Sequence, residues 1–191
     1  MTELNEIIEV PVSHLLERAD FMARSVEITS HTTKREQDGI MARQTGALGE
    51  LVGQEHLSRC GVVFEPHFST EFDVWVNVGD EKKKLEFKTK ERTVRPRLDF
   101  ECSVFDYLKD FQNVDYYLFI SLLSSDSHSP DINRFSSAYI LGSITKKEFD
   151  SKAVLWNPSD MDYSNGWRPK KPTWNVFVSE LKAPMPQKEF A

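Results

Sequence analysis

At 191 residues, with 39% hydrophobic and 28% charged side chains, the chain is long enough for one domain with a proper core and too short for two. No run reaches the length of a membrane-spanning helix, and the N-terminus Met1-Thr2-Glu3-Leu4-Asn5-Glu6 is acidic, unlike a secretion signal, so a cytoplasmic protein is expected. A formal net charge of −6 speaks against a surface uniformly basic for nucleic acid, and the two cysteines, Cys60 and Cys102, lack zinc-ligand spacing or any disulfide framework.

Residues 1–12 are expected to form a loosely tied lead-in. Residues 13–28 predict an amphipathic helix, with Leu15, Leu16, Ala19, Met22, Ala23 and Val26 at helical spacing, and residues 30–33 a polar break. Residues 36–60 predict a longer helix, with Leu48, Leu51, Val52 and Leu57 facing inward and Gly61 ending it. Gly46, Gly49 and Gly53 recur inside that helix. Each costs about 1 kcal/mol of helix stability relative to alanine, which points to a backbone packed closely on a neighbour. Residues 62–69 predict a first strand and 72–90 a hairpin turning at Gly79-Asp80. After Pro96, residues 100–108 predict a short helix or loop. The nearly continuous apolar run 114–123 predicts a central buried strand. A loop at 124–130, a strand at 138–144, a short helix opening at Thr145, irregular chain at 156–173 and a last strand at 174–181 lead to a proline-containing tail. There is no internal repeat, Walker-type phosphate loop or dinucleotide fingerprint.

The hairpin carries the chemistry. Val74, Val76 and Val78 alternate with other residues, as do Leu85, Phe87 and Thr89, the period of a half-buried strand. Glycine at position 79 can take the positive φ that a two-residue type II′ turn needs first. Counting back from a Val78–Glu81 pair places Asp73 opposite Glu86, with Lys88 on the same face as Glu86. Two facing carboxylates repel each other, and a hard divalent cation between them reverses the sign. Oxygen ligands with open water positions suit Mg²⁺ or Mn²⁺. An ammonium group beside such a metal can orient a water nucleophile or stabilise the charge that grows on a phosphorane. Asp73, Glu86 and Lys88 are therefore the candidate catalytic residues. The alternative is the wet face of an amphipathic hairpin.

From Lys82 to Arg97 the chain carries eight lysines and arginines against Glu86 and Glu91 alone. Lys82, Lys83 and Lys84 suit a solvated turn. Lys90, Arg92, Arg95 and Arg97 are the candidate DNA-binding set, because Pro96 stiffens the segment and guanidiniums suit bidentate phosphate contacts. Tyr107, Tyr116 and Tyr117 could stack on bases, but their apolar neighbours favour core packing. The five histidines stand singly, without a paired nucleophile.

Asp73 followed by Glu86-Phe87-Lys88, with Gly46-Ala47-Leu48-Gly49-Glu50 on the preceding helix, resembles the PD-(D/E)XK nuclease superfamily over residues 40–145. Asp73 follows Phe72 where the family name has a proline. The resemblance implies an α/β fold with a restriction-endonuclease-like core, a central mixed β-sheet flanked by helices. Residues 1–36 would be a helical lead-in packed on that core, and 37–191 the nuclease-like domain. It further implies a Mg²⁺-dependent deoxyribonuclease, with Mn²⁺ substituting, and Glu50, Asp73, Glu86 and the carbonyl of Phe87 as metal ligands. Lys88 would be the catalytic lysine and DNA the partner, with no small-molecule cofactor and no membrane; a homodimer is compatible with this reading. The small size resembles nucleases of phages and mobile elements, which would place the chain in a host cytoplasm and in DNA recombination, repair or degradation. The alternative from another class is a non-catalytic nucleic-acid- or protein-binding domain retaining the fold, and RNA in place of DNA stays open as substrate.

Overall fold

The apolar run that begins near residue 114 becomes the middle of a six-stranded sheet in the computed structural model, which describes residues 6–25, 33–67, 71–162, 166 and 168–183 (33–38 as backbone only). The expected break at 30–32, the end of the first strand at 68–69 and the tail from 184 onward lie outside the described residues. Along the chain come β1 (Ile8–Pro11), α1 (Leu16–Ser25), α2 (Thr33–Arg59), β2 (Phe64–Pro66), β3 (Val74–Val78), β4 (Glu81–Arg92), β5 (Glu101–Phe105) and α3 (Asp106–Lys109). These are followed by β6 (Tyr116–Ser124), β7 (Phe135–Thr145), α4 (Lys146–Lys152), β8 (Val154–Trp156) and β9 (Thr173–Phe177). The large sheet has the order β1-β7-β6-β4-β3-β2 and is mixed, because β4 and β6 run parallel while its other pairs are antiparallel. Parallel neighbours need a long crossover, and the segment holding β5 and α3 supplies it. A second sheet, β5-β9-β8, is antiparallel.

Both faces of the large sheet are covered, so β6 reads as apolar throughout. Leu118, Ile120 and Leu122 join Leu48, Leu51 and Val52 of α2 and Ala19 of α1 in one core. Tyr117 and Phe119, on the other face, join Cys102 and Val104 of β5, Val176 of β9 and Phe149 of α4 in a second. The result is a mixed α/β architecture in three layers: helices, large sheet, small sheet. Among the described residues no helix is long and apolar enough to cross a membrane.

Three short strands depart from the sequence expectation. The lead-in contains β1, which pairs with β7 through Ile8↔Ile140 and Val10↔Ala138 and buries Val10. Residues 101–105 form β5 instead of a helix or loop, with Glu101, Cys102 and Val104 buried. β8 runs into the first residue of the stretch expected to be irregular. Elements this short show too few turns of any period to stand out, and pairing with a neighbour decides them. The last strand, expected over 174–181, ends at Phe177, and a 3₁₀ turn follows over Val178–Glu180. Two local signals hold. Gly79 takes φ 59° in the β3–β4 turn, and Thr145 caps α4 by accepting from the Glu148 amide at 3.1 Å.

Candidate active site

β4 is twelve residues long, but β3 pairs with only its first half, from Val78↔Glu81 to Val74↔Leu85. Beyond Leu85, the β3 side of β4 has no ladder partner among the described residues, and the edge opens into a cleft of about 500 Å³ between α2 and β5. An unpaired strand edge leaves backbone donors to satisfy. Asp73, one residue before β3, meets this need: its Oδ2 accepts from the Phe87 amide at 2.7 Å, while its own amide donates to the Leu85 carbonyl at 3.1 Å. Asp73 thus lies one residue beyond the last ladder pair, bonded to Leu85 and Phe87 on either side of Glu86. The period-two pattern of β4 sends Phe87 and Thr89 toward α2 and Glu86 and Lys88 toward the small sheet.

The helix glycines bring α2 against this strand. A Cβ on Gly49 would collide with the side chain of Thr89, and one on Gly53 with the ring of Phe87. Gly46 meets nothing and lines the cleft. Close approach of α2 places Glu50 in the same cleft as Asp73, Glu86 and Lys88. Burial, followed by repulsion from Glu86, raises the pKa of Glu50, with Arg18 opposing. Burial likewise pushes Asp73 up to about 8, reinforced by Glu86 and Glu50 and opposed by the Phe87 amide and Lys88. Each carboxylate therefore feels the others, with Lys88 the cation seated among them.

Lys88 donates to Glu86 Oε1 at 2.8 Å, with both side chains nearly buried. The same oxygen accepts from Gln112 Nε2 at 2.6 Å. Gln112, in the turn after α3, is 6% exposed, and its own Oε1 is buried without a hydrogen-bond partner among the described residues. No short motif singles it out, because it lies 26 positions from Glu86 and reaches it only through the crossover. Tyr117, beside Glu86 in the β4–β6 register, is fully buried, and Lys88 lies 5.9 Å from the centre of its ring.

The expected DNA-binding residues divide into two groups. Lys90 and Arg92 turn inward to Glu101, a carboxylate with no exposed surface: Lys90 pairs with it, and Arg92 donates to its backbone carbonyl at 2.5 Å and lies 5.0 Å from the Phe100 ring centre. Burial, then Arg92, lowers the pKa of Lys90 to about 8, opposed by Glu101. Arg95 and Arg97 are exposed; Arg95 is 3.9 Å from Glu9, and Arg97 makes two bonds to Asp99 at 2.8 and 3.0 Å. Just past the cleft, Arg134 is buried and donates to Glu91 at 3.1 Å and to Gln44 at 2.6 Å, fastening the end of β4 to α2.

Among the described residues no group of three or more His, Cys, Asp or Glu side chains is gathered so as to hold a metal ion. Glu86 Oε1 is engaged by Lys88 and Gln112, and Asp73 Oδ2 by a backbone amide. The donor chemistry is of the kind a hard dication takes. All three groups are carboxylates, and two of them are raised in pKa by burial and by their neighbours' charge, the condition that a bound cation relieves. No family model, curated protein or solved structure matches the chain.

Proposed function

We propose that this protein is a metal-dependent nuclease of the PD-(D/E)XK kind, built on a restriction-endonuclease-like core and hydrolysing DNA phosphodiester bonds. The observation that carries this reading is the convergence of Glu50, Asp73 and Glu86, with Lys88, at the open edge of β4. A sheet gains nothing in stability from buried carboxylates that repel one another, so their clustering calls for a chemical reason.

Asp73, Glu86 and Glu50, with the Phe87 carbonyl, would hold Mg²⁺ or Mn²⁺. The bound ion would supply Lewis-acid charge at the phosphoryl group. The chain's own groups do the rest. Gln112 fixes one oxygen of Glu86, which orients the carboxylate. Lys88, held at the cleft wall, orients the attacking water and offsets the negative charge that develops on phosphorus. The walls formed by α2 and β5 leave Glu86 and Lys88 little exposed, which strengthens these interactions. Arg95 and Arg97, exposed after β4 with carboxylate partners Glu9 and Asp99, would meet flanking phosphates. The test is incubation of the pure protein with supercoiled, linear, single-stranded and branched DNA in Mg²⁺, Mn²⁺ or EDTA. Cleavage in metal that EDTA abolishes is expected. Intact DNA under every metal condition would reject the proposal.

A further inference from the structure

Beside the cleft, the crossover segment exposes aromatic surface. Phe105 is 42% exposed, Tyr107 62% and Phe111 58%. Single exposed apolar residues are ordinary, as Phe21 on α1 illustrates, but here three exposed aromatics fall within seven residues, two of them in ring contact. The rings of Phe105 and Tyr107 already stack, with centroids 5.5 Å apart and planes 17° from parallel. Lys171 Nζ lies over the Tyr107 ring, 5.7 Å from its centre, and brings a cation to the aromatic pair. Two acids fall within this span: Asp106 accepts from the indole N–H of Trp174 at 2.6 Å, and Asp110, exposed, precedes Phe111 beside Lys109.

The patch is continuous with the candidate active site. Phe105 lines the same cleft as Glu86 and Lys88. Phe111 immediately precedes Gln112, whose side chain bonds Glu86. We propose that Phe105, Tyr107 and Phe111 form a stacking platform for the bases of a single-stranded nucleic-acid segment whose backbone enters the cleft at Glu86. This rests in part on the nuclease reading and adds its substrate class. Paired bases inside a duplex already have their faces covered by neighbours, so an exposed ring pair selects unpaired or frayed nucleotides. Stacking also gives affinity that does not depend on net positive charge, which suits a chain of net charge −6.

The test measures binding of labelled DNA in a Lys88→Ala background, so that substrate survives. It compares a short unstructured single strand, an abasic strand of the same length and a duplex. The single strand should bind more tightly than the other two. Tyr107→Ala and Phe105→Ala should each weaken it by between about 5-fold and 100-fold while leaving the abasic strand unchanged, and Tyr107→Phe, which keeps the ring, should restore binding. Equal losses on the abasic strand, or unchanged affinity for the single strand, would overturn the platform. So would a sedimentation result in which the same variants dissolve a dimer and leave DNA affinity intact, since the patch would then join two copies of the chain. Cleavage by the otherwise wild-type protein is scored separately. If it persists while the stacking signature fails, only the platform falls; if stacking holds without cleavage in any metal, only the nuclease reading falls.

Discussion

At the scale of single residues, the site is a problem of uncompensated charge. In the unfolded chain Asp73 ionises near its ordinary value of 3.8, and in the folded protein only near 8. Between these values the unfolded state holds fewer protons than the folded one, so the contribution of Asp73 to stability is fully present below about pH 4 and is lost as pH rises through about 8. Denaturant titrations of the metal-free protein across this window should therefore show a decline with pH that Asp73→Asn, which cannot ionise, removes. A decline of equal slope in the variant would show that other groups cause it. Gln112 acts one step further out. Gln112→Leu keeps the bulk of the buried side chain but removes the bond to Glu86. On the scale of lost outer-shell partners, Mn²⁺ affinity should fall by about 10- to 100-fold in calorimetry; an unchanged isotherm would make Gln112 a packing residue only. Arg92 shows how a residue's chemistry can be legible while its role is not. Its position after a basic strand points to phosphate contact, whereas β5, an element too short to anticipate, brings Glu101 to it. Arg92→Ala leaves Lys90 on the Glu101 carboxylate but removes the second cation and the bond to the Glu101 backbone carbonyl, and should cost about 1–3 kcal/mol in chemical denaturation, against less than about 0.5 kcal/mol for exposed Arg95→Ala.

At the scale of elements, the contact of α2 with β4 sets the geometry. Gly49 and Gly53 let the helix backbone approach Thr89 and Phe87, which bracket Lys88 in the strand. Alanine at either position gains about 1 kcal/mol of helix propensity but forces the strand or its side chains to move, which typically costs about 1–3 kcal/mol. Gly53→Ala should thus lower both the melting temperature and metal affinity, because Phe87 lies between Glu86 and Lys88. Gly46→Ala, which meets open space, should keep or raise stability. A destabilised Gly46→Ala with an indifferent Gly53→Ala would reverse this account of the helix. The glycine spacing, the Gly79 turn and the β3–β4 register are legible in the sequence because each is a local signal. The β1, β5 and β8 pairings are not, because each is decided by a partner far along the chain. Tyr107 shows the same limit: its apolar neighbours point to core packing, yet the short α3 turns it outward.

At the scale of the whole molecule, two layers pack on the sheet and part where β3 leaves β4, and that parting makes the cleft. The acid–x–lysine pattern and the helical glutamate are legible in the sequence, since they depend on local period and order of elements. The small sheet that walls the cleft, buries Lys90 and Arg92 and displays Phe105 is not, since it is assembled from β5, β8 and β9 across more than fifty residues. The central claim is that this cleft hydrolyses phosphodiesters with Lys88 serving the chemistry and not the binding. Its most direct test is the single-turnover cleavage rate of DNA in Mn²⁺ by wild type and Lys88→Ala, at protein concentrations that saturate binding in both. The account predicts metal-dependent cleavage by wild type and a loss of about two or more powers of ten in the variant, with DNA and Mn²⁺ still bound. Cleavage by Lys88→Ala at near the wild-type rate, or none by either protein, would contradict it.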